Sequence, residues 1–143
     1  MKKSLLFIVV ALCFFACAKE QKPEPQELMN AFVANTDSIC AGKVLGDESN
    51  ATSITAVTYQ DSTLLFACTL SPDAEIELEL LEATAEDNLM PDVENQLSQI
   101  LGDSIMAADH PEVLQMLTDE KARVIFRVSD AQGHSFDLLA KQY

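Results

Sequence analysis

The stretch ARVIFRVSDAQGHSFDLLA, residues 122–140, decides the fold class. Ala122, Val124, Phe126 and Val128 alternate with Arg123, Ile125 and Arg127, the period-two pattern of a half-buried strand. Asp130 to Gly133 then reads as a turn, with Gly133 supplying the positive φ that such turns often need. Beyond it Phe136, Leu138 and Ala140 share one face, so the chain closes in a β-hairpin.

Working backward, a second pair of alternating runs, SITAVTY at 53–59 and LLFACTL at 64–70, is separated by Gln60, Asp61, Ser62 and Thr63 and predicts another hairpin. On its second strand Leu64, Phe66, Cys68 and Leu70 face the same way. Before it, Leu28, Met29, Phe32, Val33, Ile39 and Cys40 have helical spacing from Glu27, with a break expected around Asn35 to Ser38; residues 41–50 read as a loop.

The segment between the hairpins is mostly helical by pattern. EIELELLEA at 75–83 mixes strand alternation with helix-forming Glu and Leu, and is assigned to helix. Pro91 opens a helix whose inner face is Val93, Leu97, Ile100, Leu101, Ser104 and Ile105. His110-Pro111 starts another, with Val113, Leu114 and Leu117 inward. The expectation is an α+β domain over 27–143, in which two hairpins form an antiparallel sheet of about four strands packed against helices, in an αββ-α-αββ layout. A lone hairpin is marginal in water, so burying both against helices is what would make the domain stable.

The amino terminus has a different character. Lys2 and Lys3 precede the apolar run Leu5 to Phe15, and Ala16 is a small residue before Cys17, the three-part pattern of an export signal over residues 1–16. That run is shorter than the roughly 20 residues a membrane-spanning helix needs. AKEQKPEPQ follows at once, so residues 17–26 read as an extended tether. FFAC at 14–17 resembles the bacterial lipobox, with Phe14 where the pattern usually has Leu; the resemblance implies that the Cys17 thiol takes a diacylglycerol and becomes the first mature residue. Cys13, still inside the apolar run and preceded by Leu12, fits that role less well.

The chain carries 23 acidic against 9 basic residues, a net charge of −14, and becomes more acidic once Lys2 and Lys3 leave with the signal. Such a balance repels nucleic acid and favours cationic partners. Of four cysteines, Cys40 and Cys68 remain for the folded domain, either bridged in an oxidising compartment or held as two separate buried thiols. Two cysteines and two histidines in these positions lack zinc-type spacing, so no metal site is expected.

No catalytic signature stands out. There is no G-x-S-x-G elbow, phosphate-binding glycine loop, H-E-x-x-H or C-x-x-C. His110 and His134 sit beside a helix start and a turn, where exposed histidines are ordinary; Glu75, Glu77, Glu79 and Glu82 read as a solvated acidic face. No catalytic residue and no cofactor is assigned.

Asp37-Ser38-Ile39, Asp61-Ser62-Thr63 and Asp103-Ser104-Ile105 resemble the O-glycosylation acceptor of exported Bacteroidota proteins, which would make Ser38, Ser62 and Ser104 candidate acceptors; turns and caps built from Asp and Ser give the same pattern. With the phenylalanine-rich lipobox and the acidic domain, these triplets are similar to those of the small lipoproteins of Bacteroidota. The resemblance implies an outer-membrane lipoprotein, periplasmic or surface-facing, attached to the membrane through Cys17. The function expected from an anchor plus a compact domain is a non-enzymatic binding or scaffold module with an envelope protein partner. A small-ligand carrier, an enzyme or an enzyme inhibitor without a sequence signature are the alternatives.

Overall fold

The computed structural model describes residues 22–47, 51–99 and 111–143. The signal, Cys17 and most of the tether lie outside them, as do Ile100 to Ile105 and His110. Helix α1 spans Pro25–Cys40, strand β1 Val44–Leu45, β2 Thr52–Gln60 and β3 Thr63–Leu70. Helices α2 (Leu78–Ala83), α3 (Ala85–Asn88), α4 (Met90–Leu97) and α5 (Pro111–Asp119) follow, then β4 (Arg123–Ser129) and β5 (Ser135–Gln142). The fold is α+β, with one five-stranded sheet in the order β1-β2-β3-β4-β5.

Both predicted hairpins are present. The first turns on Asp61 and Ser62, with φ of 49° and 54°, the pair of left-handed residues that matches the twist of two antiparallel strands. The second turns through Gly133 at φ 90°. Its strands pair antiparallel, with Phe126 opposite Leu138 and Val128 opposite Phe136.

The sheet is not antiparallel throughout. β3 and β4 run parallel, from Thr63 opposite Arg123 to Thr69 opposite Ser129. The cause is the helical stretch between them: β3 delivers the chain to one end of the sheet, and the helices carry it back to the other. The Arg123 amide then donates to the Ser62 carbonyl at 2.9 Å, and β4 sets off alongside β3. A crossover of that length is what a parallel pair requires.

Three further differences are local. Helix α1 is continuous through Asn35 to Ser38, because Thr36 is buried with its hydroxyl donating to the Phe32 carbonyl (2.8 Å), and Asp37 Oδ1 accepts from the Val57 amide (2.7 Å). It also begins earlier than expected, at Pro25, inside the stretch read as tether; proline suits a first helical position, where its missing N–H would be unpaired in any case. Val44 and Leu45, read as loop, form a two-residue edge strand against Ser53 and Thr52, too short to show a period.

The helices cover one face of the sheet. A single apolar cluster joins Met29, Phe32 and Cys40 of α1 to Leu64, Phe66 and Cys68 of β3, to Val124, Phe126 and Val128 of β4, and to Leu81, Leu89, Val93, Val113 and Leu117 of the helical segment. At its centre the Phe66 and Phe126 rings stack with centroids 4.4 Å apart and 2° between planes. Their β3–β4 register sets them side by side, so the parallel pairing and the stack specify each other.

Candidate functional site

Among the described residues, the opposite face of the sheet carries exposed and half-buried side chains. Leu65, Ile125 and Leu139 are opposite one another across β3, β4 and β5, and Leu139 is 55% exposed. Arg127 beside them binds Asp137 through two hydrogen bonds of 2.7 and 2.9 Å. Those bonds, more than the partial burial that opposes them, hold the Asp137 carboxyl below its ordinary value.

A crevice of about 660 Å³ lies beyond the carboxyl ends of the parallel strands. Open sheets with parallel strands commonly hold ligands at this end. One wall is the segment after β3, with Leu70, Ala74, Ile76 and Leu78; the other is the β4–β5 turn, Asp130 to His134. Glu77, Glu79 and Glu82 line the mouth and are exposed.

Within the turn, Asp130 is the organising group. Its Oδ1 accepts from the amides of Gln132 and His134, both at 2.9 Å, and its Oδ2 lies 3.0 Å from His134 Nδ1. Desolvation pushes the carboxyl's pKa up, but the His134 ring and the two amides outweigh it and leave it below the ordinary value. A ring held through Nδ1 leaves Nε2 free, an arrangement that could orient a general base or a ligand contact. Among the described residues, however, no hydroxyl or thiol is hydrogen-bonded to that ring, and its side chain is 77% exposed. No group of three or more His, Cys, Asp or Glu side chains able to hold a metal ion occurs among the described residues.

No known protein family, no curated protein and no solved structure matches this chain. The charge distribution is the site's most particular property. Between Lys43 and Lys121 the sequence has no lysine or arginine, while most of its acidic residues fall there. Among the described residues, no lysine or arginine lines the crevice beside these carboxylates.

Among the described residues, the predicted site residues belong to several different elements. Cys40 and Cys68 are both buried, as free thiols, at the end of α1 and in the middle of β3. Ser38 is exposed on the last turn of α1, and Ser62 is half-buried in the first hairpin turn; Ser104 lies outside the described residues. The crevice itself was not legible in the sequence, because its walls are joined only through the crossover. The lysine- and arginine-free run was the available signal, and the acidic residues in it read instead as an ordinary solvated face.

Proposed function

We propose that this chain is a lipid-tethered binding module of the bacterial cell envelope, held to the outer membrane through Cys17, whose crevice takes a cationic segment of an envelope protein. The observation that carries the partner's chemistry is the crevice: apolar walls from Leu70, Ala74, Ile76 and Leu78, with Glu77, Glu79 and Glu82 at its mouth and no lysine or arginine among the described residues that line it. An apolar side chain flanked by lysine or arginine would place its hydrocarbon on those walls and its charge among the carboxylates. Long-range attraction from the acidic helical segment would also speed the encounter. A carrier reading has less support, since the space between sheet and helices is occupied by the apolar cluster.

The test uses the full chain and two fluorescent peptides of equal length, one alternating Lys with Leu and one alternating Glu with Leu. The basic peptide should bind, and affinity should fall about tenfold or more when Glu77, Glu79 and Glu82 are all changed to Gln, with a further loss in high salt. Equal binding of both peptides, or no effect of the three substitutions, would overturn the assignment.

The Asp130–His134 pair favours one second reading, a hydrolase in which His134 Nε2 activates water at the crevice. It predicts turnover of an ester or peptide substrate that His134→Ala abolishes. Turnover unaffected by that change, or none across a substrate panel, leaves the pair as a turn-stabilising contact.

A further inference from the structure

We propose that Cys40 and Cys68 are a redox-closable pair, able to form a disulfide that joins the end of α1 covalently to β3. The backbone already brings the two sites together. Cys68 is directly opposite Ile54 in the β2–β3 ladder, and Ile54 is tied to the residues that follow Cys40: the Gly42 amide donates to the Ile54 carbonyl at 2.8 Å, and the Ile54 amide donates to the Lys43 carbonyl at 2.9 Å. Directly paired antiparallel residues have α-carbons about 4.5–5.5 Å apart. Cys68 and the chain that follows Cys40 thus flank Ile54 from its two sides, and α1, which ends at Cys40, packs against β2.

The side chains agree with the backbone. Cys40 and Cys68 are 0% and 2% exposed and belong to the same apolar cluster, so both sulfurs are turned into the core between α1 and the sheet. They are also close enough that charge on Cys40 disfavours charge on Cys68, whose thiol burial pushes up to about 12. Among the described residues neither thiol belongs to a metal-binding cluster, and Cys68 Sγ donates to the Phe66 carbonyl at 3.6 Å. A pair so placed has one obvious covalent reaction.

The co-reactant is a small disulfide, RSSR, such as oxidised glutathione. Cys40 is the last residue of α1, so opening one helical turn presents it first. Its thiolate attacks one sulfur of RSSR, forming a Cys40–SR mixed disulfide and releasing one RS⁻. The Cys68 thiolate then attacks the Cys40 sulfur, forming the Cys40–Cys68 bond and expelling the second RS⁻. The two protons lost by the cysteines end on the two released thiols, so two Cys–SH and one RSSR become one Cys–S–S–Cys and two RSH. Thiolate is the reacting form, so the reaction is slow in the closed native core and proceeds mainly while the chain folds. The bond closes a loop that contains all of β1 and β2.

The inference is independent of the proposed binding function. The experiment refolds the full chain, fully reduced, with and without a glutathione redox buffer, then traps free thiols with an alkylating reagent and maps peptides without reduction. The expected product is a linked pair of peptides containing Cys40 and Cys68, a loss of two hydrogen masses, and a melting temperature raised by roughly 10 °C over the reduced chain. Cys40→Ser and Cys68→Ser should each abolish the link and the oxidation-dependent shift. Alkylation of both residues after oxidative refolding, separate glutathione adducts on each, or a link from either to Cys13 or Cys17 would overturn the proposal. The peptide map of the unaltered chain decides even if a serine variant fails to fold.

Discussion

At the residue scale, Asp37 shows how a polar side chain can fix the join between two elements. The Val57 amide lies just past the irregularity in the β2–β3 ladder, between Ile54 and Ala56, and the Asp37 carboxylate takes its hydrogen bond at 2.7 Å. Asp37→Ala leaves that part-buried amide without its acceptor and should cost about 1–3 kcal/mol, read as a lowered denaturation midpoint. Asp37→Asn keeps an acceptor oxygen and should lose less; equal stability of the alanine variant and the parent would remove the role assigned here. A second prediction concerns Asp137, held below its ordinary value first of all by the Arg127 hydrogen bonds. A folded-state value below the unfolded one means a contribution that is present above the ordinary aspartate value of 3.8 and is lost as pH falls through the lowered value. With side chains 47% and 41% exposed, solvent screening limits the pair to less than about 1 kcal/mol. The stability gap between the parent and Asp137→Asn should therefore be small at neutral pH and close in acid. A gap that widens on acidification would contradict the pairing.

Among the elements, β3 and β4 have neighbours on both sides, while β1 is a two-residue edge and β5 is the opposite edge, with an irregularity opposite Val124 and Ile125. Amides of Leu64 to Cys68 and Val124 to Val128 should exchange with solvent only on global unfolding. Those of β1, and of β5 beyond Leu139, should exchange by local opening at several kcal/mol lower cost. Hydrogen exchange followed by mass spectrometry checks this, and uniform protection across the five strands would refute it. The same elements show what the sequence could and could not reveal. The alternation of Leu64, Phe66 and Cys68, and of Val124, Phe126 and Val128, is local and strong, so both hairpins and their inward faces were legible, down to the Gly133 turn. The relative direction of β3 and β4 was not, because no side-chain pattern encodes it; the length and path of the helical crossover set it. The break expected in α1 failed for another reason. Asn, Thr, Asp and Ser disfavour helix locally, but the Thr36 hydroxyl bonds back to the Phe32 carbonyl one turn earlier in the same helix, and Asp37 finds at Val57 a partner that only the fold supplies.

For the whole molecule, charge and attachment act together. A chain at −14, with no lysine or arginine between Lys43 and Lys121, gains nothing from approach to an anionic bilayer, and no helix among the described residues is long and apolar enough to cross one. The proposed acyl chains on Cys17 would supply residence at a membrane, each buried CH₂ contributing about 0.8 kcal/mol against electrostatic repulsion. Two consequences separate this account from peripheral adsorption. High salt should leave the parent protein in the membrane fraction, since no attraction of charges holds it there. Cys17→Ser should remove the lipid and shift the protein out of that fraction, with incorporation of a labelled fatty acid lost in parallel. The folded domain should be unaltered, with the same melting temperature, because the substitution lies before α1. Cys13→Ser, by contrast, should leave anchoring intact. A Cys17→Ser protein that still sediments with membranes after an alkaline wash would mean that something other than this thioether attaches the chain.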